Sequence, residues 1–168
     1  NKIKFKNFEF KDGIYLGIRP EDINIGDADD TTAIELADNT GDAELLIGTA
    51  STVFGTIDGN SGTAGAGTSI VDVDAALTVE DSVGSTNAVE LLQVGDTTTL
   101  KGVTNTITST VFTADDILNI SGAAAQTLTS TITATNEQGE LNIVNATHLV
   151  TIAGTVGAED ARLKEIDI

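Results

Sequence analysis

Apolar and polar side chains alternate along most of this sequence, in short runs separated by Gly, Asp and Asn. In the clearest run, residues 127–135, Leu128, Ser130, Ile132 and Ala134 share one face and five threonines share the other. Such alternation predicts β-strands, because successive side chains of a strand point to opposite faces. No long stretch carries the 3.6-residue apolar stripe of an amphipathic helix. The pattern therefore predicts an all-β chain built from short strands.

A tripeptide that is apolar at its first and third positions recurs about every 24 residues, a spacing typical of repeat architectures. Its copies are Ile23-Asn24-Ile25, Leu45-Leu46-Ile47, Val71-Asp72-Val73, Leu92-Gln93-Val94, Leu118-Asn119-Ile120, Leu141-Asn142-Ile143 and Ile166-Asp167-Ile168. A repeat of this length cannot bury its own apolar face, whereas stacked repeats can. The sequence therefore predicts a right-handed parallel β-solenoid (β-helix) with coils, or full turns, of about 23–24 residues.

An antiparallel β-sandwich is the alternative fold, since it also consists of short strands with frequent turns. A sandwich does not require one tripeptide at a regular spacing, which favours the solenoid. In the solenoid, the middle residues of the tripeptides form one outward column. Thr108 and Thr110 are then expected beside Thr129 and Thr131, in an outward threonine array.

The segment 1–22 departs from this repeat. Its stretch Lys2-Ile3-Lys4-Phe5-Lys6 alternates, and Phe5, Phe8 and Phe10 are three of the five phenylalanines. We interpret residues 1–22 as a basic, aromatic N-terminal cap or an irregular first coil, and residues 23–168 as the solenoid repeats. Bulky rings would cover an open coil end, and lysines discourage unwanted pairing of strand edges.

Charge is distributed unevenly along the chain. The formal net charge is −18, and five of the eight basic residues lie between Asn1 and Arg19. An acidic surface repels nucleic acid and anionic lipid, and no apolar run is long enough to cross a bilayer. We expect no nucleic-acid partner and no membrane insertion of this segment. The last repeat stops at Ile166-Asp167-Ile168 without a visible cap, which suggests a fragment or a subunit completed by a neighbour.

Two acidic turns contain alternating oxygen donors, as in the first half of a calcium-binding loop. They are Gly26-Asp27-Ala28-Asp29-Asp30 and Asp58-Gly59-Asn60-Ser61-Gly62. Neither is followed by the bidentate glutamate of a complete loop, so an ordinary turn is the alternative. No cofactor is certain, and calcium is the one that the sequence suggests. Its candidate ligands are Asp27, Asp29, Asp58 and Asn60.

No catalytic constellation can be assembled from the sequence. The chain has no cysteine, and its single histidine, His148, lies outside any motif. The adjacent carboxylates of Asp29-Asp30 and Asp115-Asp116 would point to opposite faces of a strand, so neither pair forms an acid/base couple. We therefore predict that the protein is not an enzyme. A polysaccharide-active enzyme and an ice-binding protein are the less favoured readings.

The stretch from Glu140 to Ile168 resembles the passenger domains of bacterial autotransporters, especially rickettsial-type surface cell antigens. The likeness covers roughly residues 40–168 and lies in Gly-, Thr- and Asn-rich coils with Leu-x-Ile, Gly-x-Val-Gly and Ala-x-Leu-Lys segments. It implies a β-solenoid at the cell surface that acts in adhesion or surface-layer assembly.

We accordingly expect a non-enzymatic structural protein that is secreted, extracellular or on the bacterial cell surface. Its expected partners are a host or cell-surface ligand, or other copies of the chain bound through the solenoid ends. The alternative function is a self-assembling extracellular filament subunit that stacks head to tail. A contact that does not close on itself propagates into a fibre.

Overall fold

A computed structural model of the chain describes residues 34–36, 42–59, 68–135, 137–144 and 147–168. These residues form fourteen β-strands and, within the described part, no helix. The strands are β1 (Ile34–Glu35), β2 (Ala43–Ile47), β3 (Ser51–Val53), β4 (Ile57–Asp58), β5 (Ser69–Val73), β6 (Leu77–Val79), β7 (Val89–Val94), β8 (Thr98–Leu100), β9 (Thr104–Phe112), β10 (Ile117–Ile120), β11 (Gln126–Ala134), β12 (Glu140–Ile143), β13 (Val150–Ala153) and β14 (Glu165–Asp167).

The strands form two six-stranded sheets and one two-stranded pair. The first sheet has the order β13-β11-β9-β7-β5-β2, the second has the order β14-β12-β10-β8-β6-β3, and β1 pairs with β4. All of these pairings are parallel. Each strand pairs with its counterpart one coil later, so the chain winds into a β-solenoid of about five turns. This confirms the predicted parallel solenoid and excludes the antiparallel sandwich.

The coil length agrees with the predicted repeat. In the second sheet the successive partners are Ser51, Leu77, Thr98, Leu118, Leu141 and Ile166. Their mean spacing is about 23 residues per coil, within the range of solenoid repeats. Individual coils differ: the one from Ser51 to Leu77 is the longest of these, and the one from Thr98 to Leu118 is the shortest. The turns absorb this variation while the strands remain aligned.

The alternation predicted from the sequence determines which side chains enter the core. In β11, Leu128, Ser130, Ile132 and Ala134 are buried, as expected for one face of the strand. The middle residues of the tripeptides that the structure describes face outward, also as predicted, and Leu46 at one of these positions is exposed. Apolar burial of this kind contributes about 25 cal/mol per Å² and is the main force holding the coils together.

The predicted single column of tripeptides is wrong in one respect, because the tripeptides lie on both sheets. The copies that end at Ile47, Val73 and Val94 belong to the first sheet, whereas those that begin at Leu118 and Leu141 belong to the second. The series of tripeptides passes from one sheet to the other between the copies at 92–94 and 118–120.

Buried threonines explain this error. The partner of Leu92 in the next coil is Thr110, and the partner of Leu118 in the preceding coil is Thr98. Both threonines are fully buried at inward positions. An apolar pattern does not include them, because threonine is counted as polar although its methyl group suits a strand interior.

The predicted threonine array is also wrong in register. Thr129 lies opposite Thr106 and Thr131 lies opposite Ser109, with a β-bulge between these two pairs. The bulge places an extra residue in β9 and shifts all later partners. Thr110 consequently opposes Ile132 and points into the core, where its hydroxyl lies 2.9 Å from that of Ser130.

A buried amide network fixes one corner of the solenoid. Asn105 Oδ1 accepts a hydrogen bond from the Val83 backbone N–H at 3.0 Å, and Asn105 Nδ2 donates to the Gly102 carbonyl at 2.9 Å. Gln126 Nε2 donates to the same carbonyl at 2.9 Å, and Gln126 Oε1 accepts from the Gly122 N–H at 2.5 Å. These two side chains therefore hydrogen-bond the backbone groups at this corner that have no backbone partner within the sheets.

Phe112 is the bulkiest side chain that is fully buried in the described core. It occupies one inward column with Val94 below it and Ala134 above it. Gly139 lies against its ring with a φ of 77°, and a Cβ at that position would overlap the ring. One large residue is thus accommodated by two small ones in the adjoining coil.

We predict that Phe112→Ala lowers the free energy of unfolding by about 3–5 kcal/mol, because it leaves a cavity that the surrounding side chains fill only in part. Thr131→Ala, at an exposed position of the next coil, is the matched control and should change stability by less than about 0.5 kcal/mol. Equilibrium denaturation measures both. Equal effects of the two substitutions would contradict the described packing.

Candidate functional site

The described part of the candidate calcium site is Asp58, at the end of β4. Its side chain is buried, with 6% of the residue exposed. Asp58 Oδ1 accepts hydrogen bonds from the Thr86 backbone N–H at 2.9 Å and from the Ser85 hydroxyl at 3.4 Å. The Thr56 hydroxyl donates to Oδ2 at 3.5 Å. The carboxylate therefore stabilises the turn of the following coil that contains Ser85 and Thr86.

The calcium hypothesis stays a prediction. Its other candidate ligands, Asp27, Asp29 and Asn60, lie outside the described residues. Asp58 lines a shallow depression together with Glu35, Thr86 and Asn87. In the described ranges, no three His, Cys, Asp or Glu side chains are grouped so that they could hold a metal ion.

Aspartates recur at the turns that lead from the first sheet to the second. We call this set, Asp74, Asp96, Asp115 and Asp116, the acidic corner. Burial raises the pKa of Asp116, and the nearby charges of Asp96 and Asp115 raise it further. Stacking of the coils has brought like charges from successive turns into electrostatic contact.

Asp115 differs from its neighbour, because it is exposed and paired. Lys164 Nζ lies 2.7 Å from Asp115 Oδ2, across 49 residues of sequence. The hydrogen bond from Lys164 holds the pKa of Asp115 below its ordinary value of 3.8. The backbone N–H of Lys164 also bonds the carbonyl of Gly139 at 3.0 Å. Lys164 therefore fastens the last described coil to the coils beneath it.

A column of polar side chains extends along the described part of the second sheet, and we call it the polar column. Its members are Thr52, Thr78, Thr99, Asn119, Asn142 and Asp167. Neighbours in the column are spaced by one strand separation, about 4.8 Å. Asn119 Nδ2 donates to the Thr99 hydroxyl at 3.4 Å, so some amide groups bond along the column.

A shorter threonine column lies on the first sheet and consists of Thr104, Thr127 and Thr151. The sequence pattern did not reveal this column or the full length of the polar column. Both columns can be traced in the sequence once Thr98 and Thr110 are counted as inward residues. Counting them as inward changes which residues of successive coils are aligned as partners.

The outer face of the first sheet also carries four apolar side chains, Leu46, Ile70, Leu91 and Val111. Ile70 pairs directly with Leu91, while Leu46 and Val111 lie three coils apart in the adjoining outward column. Asp72 and Gln93 separate them in that column, and the pKa of Asp72 is raised by burial and by the charge of Asp74. These apolar side chains distinguish this face from the polar column.

The far end of the solenoid exposes apolar side chains. β13 and β14 are the last strands of the two sheets, so each has a partner on one side only among the described residues. Ile166 is 51% exposed and Ile168 is 94% exposed, and Leu149 is also exposed. The last described coil thus presents open strand edges beside uncovered core positions.

His148 lies on the same coil and is exposed, with its Nδ1 2.9 Å from the hydroxyl of the adjacent Thr147. A second shallow depression is lined by Glu137, Glu159, Asp160 and Arg162. Arg162 is paired with Glu137 at 3.1 Å.

No family model, curated protein or solved structure matches this chain. The β-solenoid implied by the autotransporter resemblance is present in the structure. The described residues contain no helix that could serve as a membrane span.

We predict that Asp116→Asn and Asp115→Asn change stability in opposite directions at pH 7. The raised pKa of Asp116 means that its charged form destabilises the fold above that pKa, so Asp116→Asn should raise the melting temperature. The lowered pKa of Asp115 means that its charged form stabilises the fold, so Asp115→Asn should lower it.

The effect of Asp116→Asn should fade as the pH falls through the raised folded-state pKa of Asp116 to 3.8. The effect of Asp115→Asn should persist down to 3.8 and fade as the pH falls from there through the lowered folded-state pKa of Asp115. Thermal melting of the two variants and the parent chain between pH 7 and pH 3 measures this. Shifts of the same sign at pH 7 would overturn the electrostatic account of the acidic corner.

Proposed function

We propose that this chain is a non-enzymatic structural protein of the cell surface or extracellular space, which acts in adhesion or surface-layer assembly. The observation that carries the proposal is the polar column, which presents a hydrogen-bonding side chain on each of six successive strands of the second sheet. Repeated weak contacts at a fixed spacing suit an extended ligand or a neighbouring surface, because their contributions combine through multivalency.

Surface charge supports the same proposal. A formal net charge of −18 favours solubility of the stacked strands and opposes non-specific association of their faces. The members of the polar column from Thr52 to Asn142 are uncharged hydroxyl and amide side chains. These groups can still hydrogen-bond a partner. Specific contact on an otherwise repulsive surface is what a surface or layer protein requires.

The resemblance to autotransporter passenger domains points to the same location and role. Such proteins present a β-solenoid at the cell surface, and a β-solenoid is the fold of this chain. The resemblance supports secretion as part of the proposal.

A self-assembling filament is the second candidate, favoured by the edges of the last described coil. β13 and β14 each have a strand partner on one side only among the described residues, beside the exposed Ile166 and Ile168. Exposed strand edges readily pair with another chain unless they are covered or charged.

Adhesion can be tested with beads that carry the purified chain, by measuring their retention under flow on cells and on immobilised glycans or matrix proteins. We expect Thr78→Lys, Thr99→Lys and Asn119→Lys together to reduce retention severalfold, because long charged side chains disrupt the polar column.

The matched control is Thr104→Lys, Thr127→Lys and Thr151→Lys, which adds the same charge on the first sheet. Sedimentation of each chain at several concentrations tests layer or filament assembly in parallel. Retention equal to that of uncoated beads, together with a monomer at every concentration, would refute the proposed function.

A further inference from the structure

A short sequence at β10 has the form of a sugar-acceptor motif. Asn119-Ile120-Ser121 is an Asn-x-Ser/Thr sequence without proline at its middle position, the form in which asparagine accepts an N-linked sugar. Of the asparagines in the chain, Asn119 and Asn145 alone begin such a motif. Asn145 lies outside the described residues. Asn119 is therefore the acceptor candidate whose surroundings the structure describes.

The strand directs both polar residues of this motif outward. Asn119 lies on β10 and Ser121 follows the end of that strand, so the two residues share one face. Both are partly exposed, while Ile120 between them is fully buried. A sugar attached to Asn119 would therefore extend into solvent and leave the core unchanged.

The side-chain amide of Asn119 makes only weak contacts within the fold. Its Nδ2 donates to the Thr99 hydroxyl at 3.4 Å, a distance beyond that of an ordinary N–H···O bond. The amide of Asn105, in contrast, is buried and bonds backbone groups of Val83 and Gly102 at 3.0 and 2.9 Å. Replacing one Nδ2 hydrogen by a sugar is thus compatible with the fold at Asn119, where little bonding is lost.

The neighbouring side chains suit an attached sugar. Thr99 and Asn142 flank Asn119 in the polar column, each one strand spacing away. Both are uncharged, and their hydroxyl and amide groups can hydrogen-bond the hydroxyls of a sugar. A sugar on Asn119 would therefore lie over the middle of the polar column.

Transfer of the sugar must precede folding of this coil. In the folded chain β10 is paired on both sides, with β8 and with β12, and Ile120 is in the core. A transferase cannot bind the three residues of the motif in that arrangement. The unfolded chain exposes all three, so the modification belongs to a protein that receives its sugar before or during export.

We infer that Asn119 is a site of N-linked glycosylation. The new bond joins Asn119 Nδ2 to the anomeric carbon of a phosphate-activated sugar. The bond from that carbon to the phosphate of the donor breaks, the amide releases one proton, and the phosphate-bearing carrier leaves. The donor is a nucleotide sugar or a lipid-linked oligosaccharide. This inference rests on the extracellular location in the proposed function and adds a modification that covers part of the polar column.

The coil after β10 contains a matched control for this site. Asn142-Ile143-Val144 lies directly over Asn119-Ile120-Ser121, and it differs from a complete motif only in the valine. Val144→Ser should therefore add a second sugar, at Asn142. The parent chain should carry none there.

Substitution of the motif hydroxyl provides the complementary test. Ser121→Ala should abolish the sugar at Asn119 although the acceptor asparagine is still present, whereas Ser121→Thr should retain it. Asn142→Gln, in the same column but outside a motif, should leave the sugar at Asn119 unchanged. Circular dichroism verifies that each variant folds like the parent chain.

Mass spectrometry of the chain and its variants, isolated from the natural source after cleavage at acidic residues, locates the sugar and gives its size. A single sugar residue identifies a nucleotide-sugar donor, whereas a preassembled oligosaccharide identifies a lipid-linked one. An unmodified Asn119 in the parent chain, or a sugar that persists there in Ser121→Ala, would overturn the inference. An unmodified chain that still shows retention on cells would overturn this inference alone, whereas a glycosylated chain without retention or assembly would refute only the proposed function.

Discussion

Parallel pairing of each strand with its counterpart one coil later is the constraint on which the rest of this structure depends. It fixes the positions of all side chains at once, because an inward residue in one coil must fit the residues directly above and below it. Phe112 illustrates this, since Ala134 and Gly139 in the adjoining coil leave room for its ring. The same pairing aligns the outward side chains into columns, so it determines the arrangement of the surface as well as that of the core.

Stacking also explains why polar side chains enter the core. Corners and bulges leave backbone groups without a ladder partner, and an unsatisfied buried group is costly. Gln126 bonds backbone groups of Leu100, Gly102 and Gly122, while Thr110 and Ser130 bond one another across the bulge. These residues hold irregular coils in alignment, which allows coil length to vary without loss of the columns.

The fold class was predictable from sequence because alternation and repetition are both visible in it. The register was not, since it depends on which threonines are buried, and residue type alone does not distinguish Thr98 inside from Thr99 outside. The bulge in β9 is equally hidden, although it decides which threonines face outward. The same limit applies to the candidate surfaces. The outward positions of the tripeptides could be predicted, whereas the polar column could be identified only from the correct partners of Leu92 and Leu118.

Distances along the polar column test the stacking most directly. Spin labels at Thr52→Cys paired with Asn142→Cys, and at Thr52→Cys paired with Asp167→Cys, span four and five strand spacings. Pulsed electron resonance should give separations near about 19 Å and about 24 Å, an increase of one strand spacing per coil. Equal separations, or a shorter one for the pair with Asp167, would contradict in-register parallel stacking.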